Sequence, residues 1–171
     1  MAGVEQSTDA PAGRGFWPSE TFDLPAMCAF MRRPDLYAST YDSMAPAPEQ
    51  LDLEGHLLKA EVWTLAAMWQ SHIVGYVQFN RRTSVAAEVT TGFHPQVPGV
   101  AKKAFGAYAL AKAWRELGLL TVWALIPSDH RKARLAARVY GFEVEGRLRQ
   151  AIVHDGAVRD VLVYALHRPE V

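Results

Sequence analysis

The hydrophobic pattern of this 171-residue chain changes its period at Pro95. Before Pro95, three runs rich in β-branched and aromatic residues are separated by short polar turns, which predicts antiparallel strands at residues 62–69, 73–79 and 85–93. After Pro95, apolar residues recur about every 3.6 positions and predict a helix. Its inward face is expected to consist of Val100, Ala104, Tyr108, Ala111 and Leu117. The chain must therefore place a helix directly after a sheet strand.

Gly118 is expected to end this helix, and the compact apolar run at residues 119–126 predicts a buried strand. Pro127 ends that strand, and Ser128 or Asp129 is expected to cap the helix that follows. Gly141 closes this second helix. Its inner face is expected to consist of Leu135, Ala136 and Val139.

The last segment predicts a β-hairpin, because strands at residues 147–154 and 157–166 flank the dipeptide Asp155-Gly156. At the other end of the chain, a short helix at 24–31 follows a capping Asp23. Phe16 suggests a short strand whose bounds the pattern does not define. Residues 41–49 predict a loop, and a second helix is expected at 49–59. Its inward residues are expected to be Leu51, Leu53, Leu57 and Leu58.

Taken together, the elements predict an α/β (α+β) protein with a single domain at residues 16–171. Residues 1–15 consist largely of Ala, Gly, Ser, Thr, Pro and Asp, and we expect a flexible tail because they have too little apolar surface to fold.

The composition excludes several classes of function. Lysine plus arginine and aspartate plus glutamate number 18 each, so no overall field draws the chain to nucleic acid or to an anionic membrane. Cys28 is the only cysteine, and the six histidines show no metal-ligand spacing, so neither an internal disulfide nor a metal site is expected. The start of the chain resembles no signal peptide, and no segment has the apolar length of a membrane helix. We expect a soluble, cytoplasmic protein.

The junction between the third strand and the helix after Pro95 reads Gln96-Val97-Pro98-Gly99-Val100-Ala101. Backbone N–H groups at a helix N-terminus, with the positive end of the helix dipole behind them, bind anions. Glycine lets a ligand approach the backbone closely. The sequence therefore predicts a pyrophosphate site at residues 96–101.

The spacing Gln-x-x-Gly-x-Ala in this junction resembles the pyrophosphate loop of the GNAT acetyltransferases. Ala133 and Gly141-Phe142 lie where that family has a second shared segment. The closing hairpin is similar to that of the branch that acetylates ribosomal-protein N-termini, and small phage-encoded proteins are similar too. The resemblance covers residues 62–166. It implies a mixed, mostly antiparallel sheet flanked by helices and splayed where the coenzyme arm lies.

This resemblance implies an N-acetyltransferase that moves acetyl from acetyl-coenzyme A (acetyl-CoA) to an amine, which could be a small molecule, a protein N-terminus or a lysine. Three residues are candidates for catalysis: Glu88 as the base, His94 and Ser128. The coenzyme-binding candidates are Gln96, Val97, Gly99, Val100, Ala101, Lys102, His130 and Arg134. Each candidate also has a plain structural interpretation: a solvent-facing strand carboxylate for Glu88, a loop residue for His94 and a helix cap for Ser128.

Three departures from the family pattern support an alternative. His130 replaces the family asparagine, Pro98 has no N–H to donate, and Ala137 stands where many relatives have a tyrosine that protonates the leaving thiolate. The alternative is a protein that keeps the fold without catalysis and acts in structure or interaction, for example in a phage virion. A homo-oligomer or a larger assembly is compatible with either hypothesis.

Overall fold

The structure is a computed structural model that describes residues 16–40, 46–154 and 156–169, so the expected tail at 1–15 lies outside it. The described chain contains seven strands and five α-helices. They are β1 Phe16–Ser19, α1 Leu24–Met31, α2 Pro34–Thr40, α3 Leu53–Leu57, β2 Val62–Trp69, β3 His72–Arg81, β4 Ala86–Phe93, α4 Gly99–Glu116, β5 Thr121–Pro127, α5 Arg131–Val139, β6 Glu143–His154 and β7 Ala157–His167.

The strands form one sheet in the order β1-β2-β3-β4-β5-β7-β6. Every neighbouring pair is antiparallel except β4 and β5, which run parallel. These two strands pair only where Ala86 to Glu88 faces Thr121 to Trp123. Beyond this short contact they separate, so the sheet is splayed at their carboxyl ends. The predicted mixed sheet, flanked by helices and splayed at this point, is confirmed.

Side chains alternate between the two faces of the sheet, and each face has its own core. Helices α4 and α5 cover one face, where Phe105 is fully buried and contacts Phe16 and Phe93 edge to face, with ring centroids 6.0 and 5.7 Å apart. Helices α1 and α3 lie on the opposite face over a smaller cluster that includes Met27 and Tyr76. The space between β4 and β5 connects the two sides.

Helix α4 begins and ends as expected, with Gly118 at φ 65° after its last turn. The expected inward face is wrong, because Val100 is 77% exposed. Apolar residues occur almost all around this helix, so the large side chains did not identify its buried side. The buried face consists of Phe105 and of four small residues that allow close packing against the sheet: Ala101, Gly106, Ala109 and Ala113.

Helix α5 differs from expectation in its cap and its inner face. His130 is the N-cap, and its Nδ1 accepts a hydrogen bond from the Ala133 N–H at 3.2 Å, so neither Ser128 nor Asp129 has this role. Ala137 is buried, whereas the three residues expected to point inward are exposed: Leu135, Ala136 and Val139. Alanines at the inner face leave room for a cleft beneath the helix.

The N-terminal third contains more breaks than the sequence predicted. Helix α1 and its Asp23 cap are confirmed, but α2 was not expected. The helix expected at 49–59 is instead a 3₁₀ turn at Pro48–Gln50 followed by α3, because Asp52 caps a new helix by accepting from the Gly55 N–H at 2.8 Å. Leu58 is therefore outside α3 and exposed. Strand β1, suggested by Phe16, pairs with β2.

Candidate active site

A cleft of about 550 Å³ passes through the sheet where β4 and β5 separate. Side chains from both faces of β4 line it, since Glu88 and Thr90 belong to one face and Val89 and Thr91 to the other. Helices α4 and α5 and the last hairpin supply its remaining walls. The walls are largely apolar and include Phe93, Leu110, Ile126, Ala133, Ala136, Ala137, Tyr140 and Leu148. Such a passage can hold an extended flexible chain that must reach from one face of the sheet to the other.

The N-terminus of α4 presents three backbone donors. The first helical bond of α4 runs from the Lys102 N–H to the Pro98 carbonyl at 3.0 Å, which leaves the N–H groups of Gly99, Val100 and Ala101 outside the helical series. A Cβ atom added to Gly99 would meet nothing within 4 Å. Gly99 therefore leaves the approach to these donors open.

Val97 differs from the expectation that its N–H faces a ligand. Its N–H donates to the His94 carbonyl at 3.0 Å, and its side chain is buried in the core. The bond closes a turn around Pro95, and Gln96 is exposed on that turn. Because Pro98 also has no N–H, the loop offers fewer donors than its spacing indicates.

Lys102 lies in the wall of the cleft, one residue after the three N-terminal donors of α4. Burial lowers the pKa of Lys102 below its ordinary 10.5, and the charge of Lys132 lowers this pKa further. An anion beside Lys102 would raise this pKa and so oppose both effects. The helix terminus and this ammonium group together form a positive end to the cleft.

Tyr140 is a wall residue that the sequence analysis missed. Its hydroxyl donates to the Lys102 carbonyl at 2.7 Å, and burial raises the pKa of this phenol. The ring lies against α4 at Gly106, where an added Cβ would be 2.5 Å from the Tyr140 oxygen. Tyr140 is three residues after Ala137 and so lies on the same helix face, a spacing that could have identified it.

Glu88 connects the cleft to a second, smaller cavity on the α3 side of the sheet, because it lines both. Its side chain is 21% exposed, and its carboxylate accepts from Arg82 at 2.7 Å. It is opposite Asn80 on β3 and Trp123 on β5. Of the three residues proposed for catalysis, Glu88 is the one that lines the cleft.

His94 lies in the turn that precedes α4. Its Nδ1 accepts from the Gln96 N–H at 3.3 Å, and its own N–H donates to the Val74 carbonyl at 2.8 Å. It is not among the cleft-lining residues in the described structure. The structure therefore gives His94 a role in shaping the turn.

Ser128, His130 and Arg134 form a group in the loop between β5 and α5. The Ser128 carbonyl accepts from Arg134 at 2.8 Å, and the Ser128 N–H donates to the Asp160 carbonyl at 2.8 Å. His130 caps α5, and its ring centroid is 5.8 Å from that of His154. These contacts hold the loop against β7, and none of the three side chains lines the cleft as described.

A chain of buried polar side chains lies on the α3 face beside Glu88, and the sequence analysis did not identify it. Gln78 donates to the Thr64 hydroxyl at 3.1 Å, and its amide oxygen is 3.0 Å from His56 Nε2. Because that oxygen can only accept, His56 must donate through Nε2. Asn80 donates to the same oxygen at 3.5 Å. Polar residues at alternate positions of an otherwise apolar strand were the available signal.

No group of three or more His, Cys, Asp or Glu side chains among the described residues could hold a metal ion. No helix in the same part of the chain has the length and apolar character needed to cross a membrane.

No family model and no curated protein sequence matches the chain. Solved structures do. Spermidine N-acetyltransferase from Vibrio cholerae, in complex with CoA and spermine, superposes with a TM-score of 0.75 at 16% identity, over 91% of this chain and 96% of that one. Ribosomal-protein-S5-alanine acetyltransferase from Vibrio fischeri superposes with a TM-score of 0.69 at 16% identity, over 91% of this chain and 96% of that one.

A GNAT-family acetyltransferase from Bacillus anthracis superposes with a TM-score of 0.68 at 16% identity, over 90% of this chain and 95% of that one. The similarity extends over nearly the full length of each structure. The chain therefore has the fold of the GNAT acetyltransferases. At these identities the similarity establishes the fold, and the comparisons give no support to a link with phages.

Proposed function

We propose that this protein is an acyl-CoA-dependent N-acetyltransferase. The observation that carries the proposal is the cleft through the sheet, which joins the N-terminus of α4 on one side to Glu88 and a polar cavity on the other. A thioester group and an amine that approach from opposite faces would meet beside Glu88. The similar structures include one in complex with CoA, which agrees with this use of the fold.

The residues that surround the cleft fit the coenzyme. The N–H groups of Gly99, Val100 and Ala101, together with Lys102, would hold its pyrophosphate, and apolar walls such as Phe93 and Ile126 would contact its pantetheine arm. Gln96 is close enough in sequence to bind at the rim. Of the other binding candidates, Val97 stabilises the turn, and His130 and Arg134 hold the neighbouring loop in place.

Glu88 would accept the proton of the attacking amine. The coenzyme supplies an acyl thioester: the acceptor nitrogen forms a bond to the acyl carbon, the bond from that carbon to sulfur breaks, and the thiolate leaves and takes up a proton. Ala137 has no group that can donate this proton, and we assign the donation to water, with Ser128 and His94 acting in structure.

Calorimetry with acetyl-CoA tests the proposal. We expect binding by the unaltered chain and a loss of at least about tenfold in affinity for Gly99→Leu, because this side chain would occupy the approach to the three donors. The open space around Gly99 should allow the variant to fold. Ala107→Leu places the same side chain at an exposed position of α4 and should bind normally.

The second candidate is a protein that keeps the fold but has lost the enzyme activity and acts by interaction. The donors missing at Val97 and Pro98 favour it. The same calorimetry separates the two candidates, since absence of acetyl-CoA binding at millimolar ligand would contradict the enzyme and support the interaction protein.

A further inference from the structure

The cavity on the α3 side of Glu88 is a candidate acceptor site. It has a volume of about 200 Å³, which is below the roughly 300–1,000 Å³ of sites for drug-sized ligands. Its walls consist of His56, Lys59, Glu61, Val62, Asn80, Arg82 and Glu88. A cavity of this size and polarity suits a small polar molecule.

The base of the cavity has an unused acceptor. Asn80 is 91% buried and lines the cavity, and no hydrogen bond in the described structure reaches its Oδ1. Asn80 Oδ1 is open to the cavity rather than fully enclosed, so it can accept a hydrogen bond from a ligand there. Asn80 is directly opposite Glu88 in the sheet register. The two oxygen-bearing side chains therefore provide a place for an ammonium group.

The charges around the cavity are balanced. Lys59 and Arg82 are cationic, and Glu61 and Glu88 are anionic. A polyamine, which carries positive charge only, could pair with Glu61 and Glu88 but would offer no partner to Lys59 or to the N–H donors of Arg82 that its 2.7 Å contact with Glu88 does not use. A ligand that carries an amine and a carboxylate can satisfy both kinds of group, because guanidinium groups bind carboxylates through paired N–H donors.

We propose that the acceptor is a small zwitterion of the free amino acid type. This inference rests on the proposed function. The amine lies between Asn80 and Glu88, at the point where the cavity meets the cleft, and the carboxylate lies against Arg82 and Lys59. In the reaction the ammonium group gives one proton to Glu88, and the amine nitrogen then forms the amide bond to the acyl carbon of an acyl-CoA thioester as the bond from that carbon to sulfur breaks. The second nitrogen proton passes through water to the thiolate, and the coenzyme leaves as the thiol. Arg82 acts as the residue that determines specificity.

Calorimetry on the coenzyme-free protein tests the inference without reliance on activity. The probes are L-alanine, L-serine and L-threonine, the carboxamide of each, and spermidine. We expect at least one of the amino acids to bind at least about tenfold more tightly than its carboxamide and than spermidine, because the carboxamide cannot make the charged contact with Arg82. Equal binding of an amino acid and its carboxamide, tighter binding of spermidine, or binding of no amino acid would overturn the inference.

Two variants locate the effect. Arg82→Gln should reduce the preference for the amino acid over its carboxamide to about one. Arg115→Gln removes the same charge from an exposed position of α4 and should leave the preference unchanged. An unchanged preference in Arg82→Gln would contradict the assignment. Failure of the proposed function would give a different result: acetyl-CoA would not bind, while the protein could still bind an amino acid more tightly than its carboxamide.

Discussion

At the residue scale, the proposed function depends on two charged side chains that reach one cleft from different elements. Lys102 enters it from α4 at the end where phosphates are expected, and Glu88 enters it from β4 at the end where an amine is expected. The contacts of Glu88 do not explain it as a stabilising residue. Its ion pair with Arg82 is partly exposed, and such pairs contribute little to stability. In the proposed function, Lys102 binds the coenzyme and Glu88 accepts the proton.

Glu88→Gln should lower kcat by about two to four orders of magnitude, because glutamine keeps the shape of the side chain but cannot accept a proton at neutral pH. Acetyl-CoA affinity, measured by calorimetry, should be unchanged. Glu143→Gln, at an exposed position at the start of β6, is the matched control and should retain full activity. Activity of Glu88→Gln within threefold of the unaltered chain, on the order of 1 kcal/mol or less in barrier, would exclude Glu88 as the base.

Lys102→Met should weaken coenzyme binding by about one to two orders of magnitude at neutral pH, since a hydrogen bond to a charged group is lost. The lowered pKa of Lys102 also predicts a pH dependence. Its contribution is present below this pKa and disappears as pH rises through it, earlier than for an ordinary lysine at 10.5. Calorimetric measurement of acetyl-CoA affinity from neutral to alkaline pH tests this predicted decline.

Two comparisons control the lysine experiment. Lys103→Met alters the neighbouring exposed residue and should change affinity little. The decline in affinity with rising pH should be shallower in Lys102→Met than in the unaltered chain. A parallel decline in both proteins would mean that Lys102 does not face the phosphates.

At the element scale, Tyr140 at the end of α5 links this helix to α4 in the wall of the cleft. The Tyr140 hydroxyl bonds to the α4 carbonyl at Lys102, and Gly106 provides the space for the tyrosine ring. Tyr140 and Lys102 are 38 positions apart in sequence. The contact holds α5 close to the first turn of α4, so it links the stability of the fold to the shape of the site.

Tyr140→Phe should lower the free energy of unfolding by about 0.5–1.5 kcal/mol, because it removes one hydrogen bond and leaves the Lys102 carbonyl without it. Urea denaturation measures this change. Tyr108→Phe makes the same substitution on α4 at a hydroxyl for which the structure describes no hydrogen bond, and it should be nearly neutral. Equal effects of the two substitutions would show that the bond to Lys102 does not hold the helices together.

Local signals predicted the order of most elements but not the sides that they bury. The glycines after α4 and α5 and Gly156 before β7, all at positive φ, could be predicted from the sequence because each is a local backbone requirement. The buried side of α4 could not be predicted, because apolar residues of α4 occur almost all around the helix. The cap of α5 was missed because His130, a residue that rarely caps helices, accepts the bond there.

The candidate site was predictable only where one short segment forms it. The helix start at Gly99 and the position of Glu88 on β4 came from the sequence. The polar chain that joins His56, Gln78 and Thr64 did not, because its members come from α3, β3 and β2 and meet only when the sheet forms. Long-range pairing of this kind leaves no periodic signal in a single sequence.

At the scale of the whole molecule, the proposed function rests on the single parallel pair in a described sheet that is otherwise antiparallel. Strands β4 and β5 pair over three residues each and then part, which opens a passage between two faces with different chemistry. The α4 face offers backbone donors and apolar walls, and the α3 face offers buried polar and charged groups. In the proposed function, the fold would bring a coenzyme and an acceptor to one point from opposite sides.

The central claim is that the coenzyme lies in this passage with its pyrophosphate at the start of α4. A crystal structure of the protein with CoA tests it most directly. We expect pyrophosphate oxygens within hydrogen-bond distance of the N–H groups of Gly99, Val100 and Ala101, and a pantetheine arm between β4 and β5 that ends beside Glu88. Coenzyme bound elsewhere on the surface, or crystals grown at saturating coenzyme with the passage empty, would contradict it.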